Sequence, residues 1–421
     1  MAEAPALRHA TVVRGKGSKV PFMPAADRLI GDDRGMPRSA HPTLSSRALN
    51  RATLARQLLL EPASGLDPVS ALERIGGVQA QEPASPFLAL WTRLTDFDPG
   101  ALRVAFERRE AVKATLMRIT LHAVSAADYR TLLPALLPMF RASGALRRGT
   151  PRPAGVEALA AAAATFAVTP RRSFELRDFL AGQAGTASLE TPVWWWVRRE
   201  LPLVHVPEEV GWSFSRRPLI TTASAWFDDP SLIDGGDVEI ERARQHVVRR
   251  YLGAFGPAST ADLSAWTGVS ASDFRAAIAA LDDEGSLVRF RDEAGRELLD
   301  LPDAPRPGED AVALPRLLPM WDEILLGFRD RTRVISGEDR ARVVGRNGDV
   351  LPTFLVDGRV AGFWWAEPDG AGTRVVLEPF RRLAAADQRA LEAEADRLAR
   401  FVAPLEPAVY ARYRTSGARR H

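Results

Sequence analysis

Two glutamines, Gln79 and Gln81, stand two residues apart just beyond the glycine pair Gly76-Gly77. In an extended turn, an i, i+2 spacing sends both carboxamides to the same side. An amide does not titrate, so neither can serve as a general base. Each does carry a carbonyl acceptor and NH2 donors, and together they could hold one water. Read from the residues alone, two uses stay open: the pair satisfies backbone groups of its own loop, or it positions a water for a reaction. A second group alternates at Arg118, Thr120 and His122, which share a face if that run is a strand. That face either lines a binding or catalytic pocket or forms an internal network supporting the Gln79 loop. Other chemistries are narrowed by what is missing. The 421 residues contain no cysteine, which excludes a disulfide scaffold, a cysteine nucleophile, an iron–sulfur cluster and a thiolate zinc site. The six histidines are scattered and none forms an H-x-x-x-H pair, so no metal site is expected.

The formal charge is +3 and the pI about 9.5. Lys16, Lys19 and Lys113 are the only lysines, so nearly all positive charge is arginine. Arginine favours forked contacts to phosphate and carboxylate, but an arginine- and alanine-rich composition is also what a GC-rich genome encodes. Residues 1–44 hold seven basic and four acidic side chains, and the remainder carries 49 of each. Any affinity for a polyanion must therefore come from where the arginines sit. Candidates are the doublets Arg108/Arg109, Arg147/Arg148, Arg171/Arg172, Arg198/Arg199 and Arg216/Arg217, with Lys113 and Arg152; they are either ordinary solvated surface or a phosphate-tracking groove. No apolar run approaches 18 residues and no secretory leader is expected, so the reading is cytoplasmic, with no membrane partner.

Along the chain, residues 1–44 are expected to be a disordered basic tail. Helical spacing then sets in with Leu49, Leu54 and Leu58; Asp67-Pro68 opens a second helix that Gly76-Gly77 ends. Ala111–Met117 and Arg118–Ser125 are expected to pair as a wing-like hairpin, followed by a helix over 127–141. The pattern recurs after Gly144–Pro153: helices over 156–166, 173–180 and 189–201, then an extended pair at 203–207 and 211–214. Trp194-Trp195-Trp196 cannot all face one way on a helix, so at least one is expected in the core. In the third occurrence, helices over 242–252, 262–267 and 273–281 lead into strands 287–290 and 297–301, with Ser270 and Asp273 at capping-box spacing. Helix, short helix, turn, longer helix and a two-stranded wing make the winged helix-turn-helix pattern. Beyond Pro302 short β-rich runs follow at 333–335, 353–356, 360–365 and 374–377. Asp357-Gly358 reads as a hairpin turn, and a closing helix spans 384–401. The fold class expected is α+β, mainly helical, in four segments: three winged-helix units (45–150, 151–235, 236–303) and a β-rich domain (304–421).

Four blocks carry a family resemblance. Arg74-Ile-Gly-Gly-Val-Gln79-Ala80-Gln81-Glu-Pro resembles the signature of AlkZ-like DNA glycosylases, a branch of the bacterial winged-helix DNA-binding proteins. Met117-Arg118-Ile-Thr120-Leu-His122-Ala-Val is similar to an M-R-x-T-x-H-x-V segment. Leu317 to Ile335, with Asp322, Asp330, Arg331 and Arg333, is similar to a late L-P-x-x-D…D-R-x-R-V-I block, and Val350 to Trp364 to the hairpin after it. The blocks fall in order between residues 45 and 402. The resemblance implies three tandem winged-helix units around a barrel-like domain. It also implies a monomeric, monofunctional glycosylase without cofactor that removes N7-alkylated guanines, in some members interstrand crosslinks, from double-stranded DNA. In producers of DNA-alkylating antibiotics such enzymes confer self-resistance. The catalytic Q-x-Q dyad of the family maps onto Gln79 and Gln81. Arg118, Thr120, His122, Arg147, Arg148, Asp322, Arg329, Arg331 and Arg333 are expected as DNA-contacting or supporting residues. The other reading is a non-catalytic winged-helix regulator, which sequence-specific rather than lesion-specific binding would reveal.

Overall fold

A serine opens the first helix: the Ser45 hydroxyl accepts from Ala48 N, and α1 (Ser46–Arg56) begins. Just before it, Thr43–Leu44, expected in the tail, instead form a strand, β1, paired in parallel with Arg291–Asp292. The computed structural model describes residues 41–146, 152–189, 191–236, 238–370 and 372–414; Arg147, Arg148 and residues 1–40 of the tail lie outside them. All described residues belong to one unit that starts at His41.

Asp67 accepts from Val69 N and Ser70 N and starts α2 (Pro68–Ile75). Gly76 and Gly77 stop it, with φ of 78° and 82°. A Cβ on Gly77 would sit 2.6 Å from Val124 Cγ1, so glycine alone lets the chain turn here into β2 (Val78–Gln79). Then come α3 (Ser85–Trp91), α4 (Pro99–Glu107), β3 (Ala111–Thr115), β4 (Leu121–Ser125) and α5 (Ala126–Leu146). The next stretch supplies α6 (Val156–Phe166), β5 (Arg171–Arg172), α7 (Ser173–Gln183), α8 (Thr191–Glu200), β6 (Leu203–His205), β7 (Leu219–Thr222) and α9 (Ala223–Phe227). Trp194 and Trp196 of α8 are buried and Trp195 is exposed.

The expected hairpin at 111–125 exists, but it is no free wing. It lies within a six-stranded sheet of order β2-β4-β3-β6-β7-β5, shared by the first two expected segments. β6 pairs with β3, setting Val204 opposite Ala114, both sealed from solvent. The expected partner of β6, 211–214, is not a strand; β7 takes that place. The reason is apolar burial: Trp212 and Phe214 turn away to pack against Phe87 and Phe106, the first pair tilted and the second edge to face.

α10 (Ile240–Phe255), α11 (Thr260–Thr267), α12 (Arg275–Asp283), β8 (Val288–Asp292) and β9 (Glu297–Asp300) follow in the expected order. The reciprocal capping box falls at Ser259 and Asp262, not at Ser270, whose hydroxyl accepts from Ser272 N. The last stretch holds β10 (Arg316–Leu318), α13 (Gly337–Val343), β11 (Thr353–Val356), β12 (Arg359–Asp369), β13 (Gly372–Pro379) and α14 (Ala385–Val402). Asp357 and Gly358, with φ of 48° and 75°, make the β11–β12 turn.

These strands form an open antiparallel sheet, β10-β11-β12-β13. Among the described residues there is no closed barrel: the edges are three-residue β10 and β13, and α14 packs across both instead of a further strand. Arg333–Ile335, expected as a strand, is a turn. Among the described residues three apolar cores result. One joins α1–α4 to the C-terminal sheet, α14, Trp212 and Phe214; one joins β3, β4 and α5 to α10–α12 and Phe328; the third lies within 156–220. The expected segment boundaries therefore do not coincide with core boundaries, since residues 45–150 feed two of the cores.

Candidate functional site

Gln79 lies opposite His122 in the β2–β4 ladder and is only 5% exposed. Its Oε1 accepts from Arg118 Nη2 at 3.1 Å. A guanidinium only donates, so the amide oxygen faces Arg118 and the NH2 group points away from it. That NH2 group bonds no described residue. Ala80 N donates to Leu121 O at 2.7 Å, tying the loop to β4. Gln81 beyond it is exposed, and its Oε1 lies 3.5 Å from Leu121 N, the outer limit of a hydrogen bond.

Arg118 and Ile119 are left-handed, with φ of 55° and 57°, which is unusual for any side chain and rarer for a β-branched one. The run 118–122 is therefore not the strand expected. Thr120 Oγ1 donates back to Met117 O at 3.0 Å and buttresses the bend, and only from Leu121 onward is the chain a strand. The bend aims Arg118 across the site. Nη1 donates to Trp266 O at 2.9 Å, and Nη2 reaches Gln79, Glu323 Oε1 at 2.7 Å and His122 Nε2 at 3.2 Å. His122 Nδ1 stands 3.0 Å from Thr120 O. A carbonyl only accepts, so Nδ1 carries a hydrogen; Nε2 then accepts from Arg118 in a neutral ring or donates to Glu323 in a protonated one.

Glu323 joins Gln79, Arg118 and His122, and sequence reasoning missed it. It is 2% exposed; Oε1 receives Arg118 and lies 3.2 Å from His122 Nε2, while Oε2 is sealed without a partner. Burial pushes its carboxyl up, but the charge of Arg118 and the bond from His122 outweigh this and hold it at about 2. Its neighbour Asp322 takes a different place. Both Asp322 oxygens are forked by Arg93, at 2.8 and 2.9 Å, with both side chains buried; Oδ1 also accepts from Ile324 N and starts the short turn 323–325. That turn places the two adjacent carboxylates in different networks.

The late arginines do not form one surface. Arg329 is exposed, with its backbone N donating to Asp262 Oδ1 at 2.9 Å. Arg331 is half-buried, and burial, then Arg340 and Arg118, pull its guanidinium down to about 10 against the attraction of Glu323. Arg333 is 6% exposed; it donates to Pro257 O at 3.1 Å and lies 4.1 Å from the Phe328 ring centre. Among the candidate phosphate-contacting residues, Arg199 and Lys113 are buried, Lys113 being pulled down to about 8 by that burial. Arg172 and Arg216 pair with Glu208 and Glu82. Among the described residues no group of three His, Asp or Glu could hold a metal ion, and no helix is long and apolar enough to cross a membrane.

This is a mixed α+β protein in which a strand-end glutamine, Gln79, meets a largely buried Arg–Glu–His network and a second, Gln81, is exposed two residues on. Residues 72–401 match the family described as DNA glycosylase AlkZ-like, and the chain belongs to that family. The interstrand DNA cross-link repair glycosylase of Streptomyces sahachiroi is 25% identical over 368 residues, covering 81% of this chain and 92% of that protein. The solved structure of Streptomyces sahachiroi DNA glycosylase AlkZ has the same fold, with a TM-score of 0.66 at 23% identity over 85% of this chain and 96% of that one.

Proposed function

We propose that the chain is a monofunctional DNA glycosylase. It hydrolyses the N-glycosidic bond of N7-alkylguanine adducts, or of interstrand crosslinks, in double-stranded DNA, with Gln79 and Gln81 positioning the attacking water. Alkylation at N7 gives guanine a positive charge, so the base leaves neutral and takes the electron pair of the C1′–N9 bond without needing an acid. Water oxygen then bonds C1′ and its proton passes to solvent. Steering that water is a positioning task, for which fixed neutral amides are sufficient.

The observation that carries this reading is the pairing of a fixed Gln79 with an exposed Gln81. It leaves Gln81 at the surface, where a crosslinked base that cannot be flipped fully could still be reached. Residues 240–300 have the element order of a winged helix, and Arg329 and Arg340 are exposed; these are the proposed DNA contacts of a monomer on one lesion.

Incubation with duplex DNA bearing N7-methylguanine, or an N7-linked crosslink, tests the reading by scoring abasic sites. Release of the base that is lost in Gln79→Ala and Gln81→Ala is the expected outcome. Sequence-specific binding without any release would instead identify a DNA-binding regulator.

A further inference from the structure

We infer that Glu323 is a positioning residue that sets the direction of the Gln79 carboxamide, making Gln79 the donor and Gln81 the acceptor to one water. The inference rests on the glycosylase reading for its consequence, but its geometry stands apart from that reading. Arg118 Nη2 has two hydrogens and three neighbours within reach: Glu323 Oε1 at 2.7 Å, Gln79 Oε1 at 3.1 Å and His122 Nε2 at 3.2 Å. The carboxylate makes the shortest and only fully ionic of these contacts, so it fixes where Nη2 stands. Nη1, on Trp266 O at 2.9 Å, fixes the plane of the guanidinium. Held in this way, Nη2 admits the Gln79 amide in one orientation. The flipped amide would set NH2 against an arginine N–H, two donors facing each other.

The two glutamines are then not interchangeable. The carbonyl of Gln79 is already used, so what it can offer a ligand is its NH2 group. The Gln81 carbonyl has only the 3.5 Å contact to Leu121 N and remains available. A water between them accepts from Gln79, donates to Gln81 and keeps its second lone pair for C1′. If Glu323 is removed, Nη2 is released, the Gln79 amide rotates, and the water loses its fixed donor.

The full chain tests this in two measurements. The first is the Gln79 side-chain NH2 pair in a 1H–15N spectrum, assigned by its loss in Gln79→Ala. In the native protein the pair is expected at a dispersed position. In Glu323→Ala it should move to the positions of a freely rotating glutamine amide, and in Glu323→Gln, which fills the same volume, it should move part of the way. An unmoved signal in both folded variants overturns the inference, whatever the activity. The second is a double-mutant cycle on single-turnover release of N7-methylguanine at saturating enzyme. Glu323→Ala is expected to slow release about 10- to 100-fold with DNA affinity unchanged, as loss of positioning does, and to have no further effect in a Gln79→Ala background. Equal slowing in both backgrounds overturns the inference. Full activity of Gln79→Ala with a moved NH2 signal would refute the catalytic reading while leaving the Glu323 contact as described.

Discussion

Gln79 and His122 face each other across the β2–β4 ladder, and both side chains meet the same nitrogen, Arg118 Nη2. The β-ladder thus sets two members of the site in register, and the left-handed bend at Arg118 closes the third onto them. Because Arg118 consumes the Gln79 carbonyl, substitutions at the two glutamines should differ in kind. Gln79→Glu keeps an acceptor for Arg118 but offers no donor, and is expected to lose activity about as Gln79→Ala does. Gln81→Glu keeps the acceptor that its position requires and is expected to retain more activity than Gln81→Ala. Single-turnover rates on N7-methylguanine DNA measure both, and equal losses in the two Glu variants would count against the donor–acceptor division.

The buried carboxylate also gives a pH signature. Glu323 is held at about 2 against an ordinary value of 4.5, so its folded form binds its proton more weakly than the unfolded chain does. The stability this contributes is fully present above about pH 4.5 and is lost as pH falls toward 2. The shift corresponds to roughly 3 kcal/mol as an upper bound, at about 1.4 kcal/mol per unit. Urea unfolding of the native protein should therefore show a midpoint falling between pH 4.5 and 2, with a shallower fall in Glu323→Gln. Parallel profiles would mean that the Arg118–Glu323 pair contributes nothing to this dependence.

The late arginines separate by burial. Arg329→Ala removes an exposed cation, so DNA affinity should weaken uniformly across sequences and the slope of log K against log salt should shrink by about 1. Arg333→Ala removes a buried guanidinium that holds Pro257 O. It should lower the unfolding midpoint and leave the salt slope of the folded protein unchanged. A salt slope altered by Arg333→Ala but not by Arg329→Ala would reverse the assignment.

Much of this arrangement can be read from the sequence, for identifiable reasons. α2, its Asp67 cap and its Gly76-Gly77 stop depend on local chemistry, as do the Asp357-Gly358 turn and the run from α10 to β9. The sheet order is not local: β6 lies between β7 and the distant β3, and the β3 pairing buries Val204 on Ala114; no periodicity within 203–214 encodes this. In the site, the alternation of Arg118, Thr120 and His122 suggests one face, and Arg118 and His122 do converge, but through a left-handed bend rather than a strand. Glu323 escaped because its role depends on how one short turn orients two adjacent carboxylates. The only sequence signal for it was its place beside Asp322.

That adjacency gives the sharpest separation of structural from functional roles. Asp322 accepts a buried fork from Arg93, so Asp322→Ala leaves an uncompensated buried guanidinium and should cost about 3–5 kcal/mol of stability. Base release by whatever fraction remains folded should be nearly normal, since Asp322 touches none of Gln79, Arg118 and His122. Glu323→Gln, one residue on, keeps its volume and an acceptor for Arg118, so its stability loss at neutral pH should be the smaller of the two. Its release rate per folded molecule should be the slower. Urea unfolding combined with single-turnover rates, normalised to the folded fraction, places the two variants in opposite orders on the two scales. Finding them in the same order would mean that the two carboxylates serve one structural network.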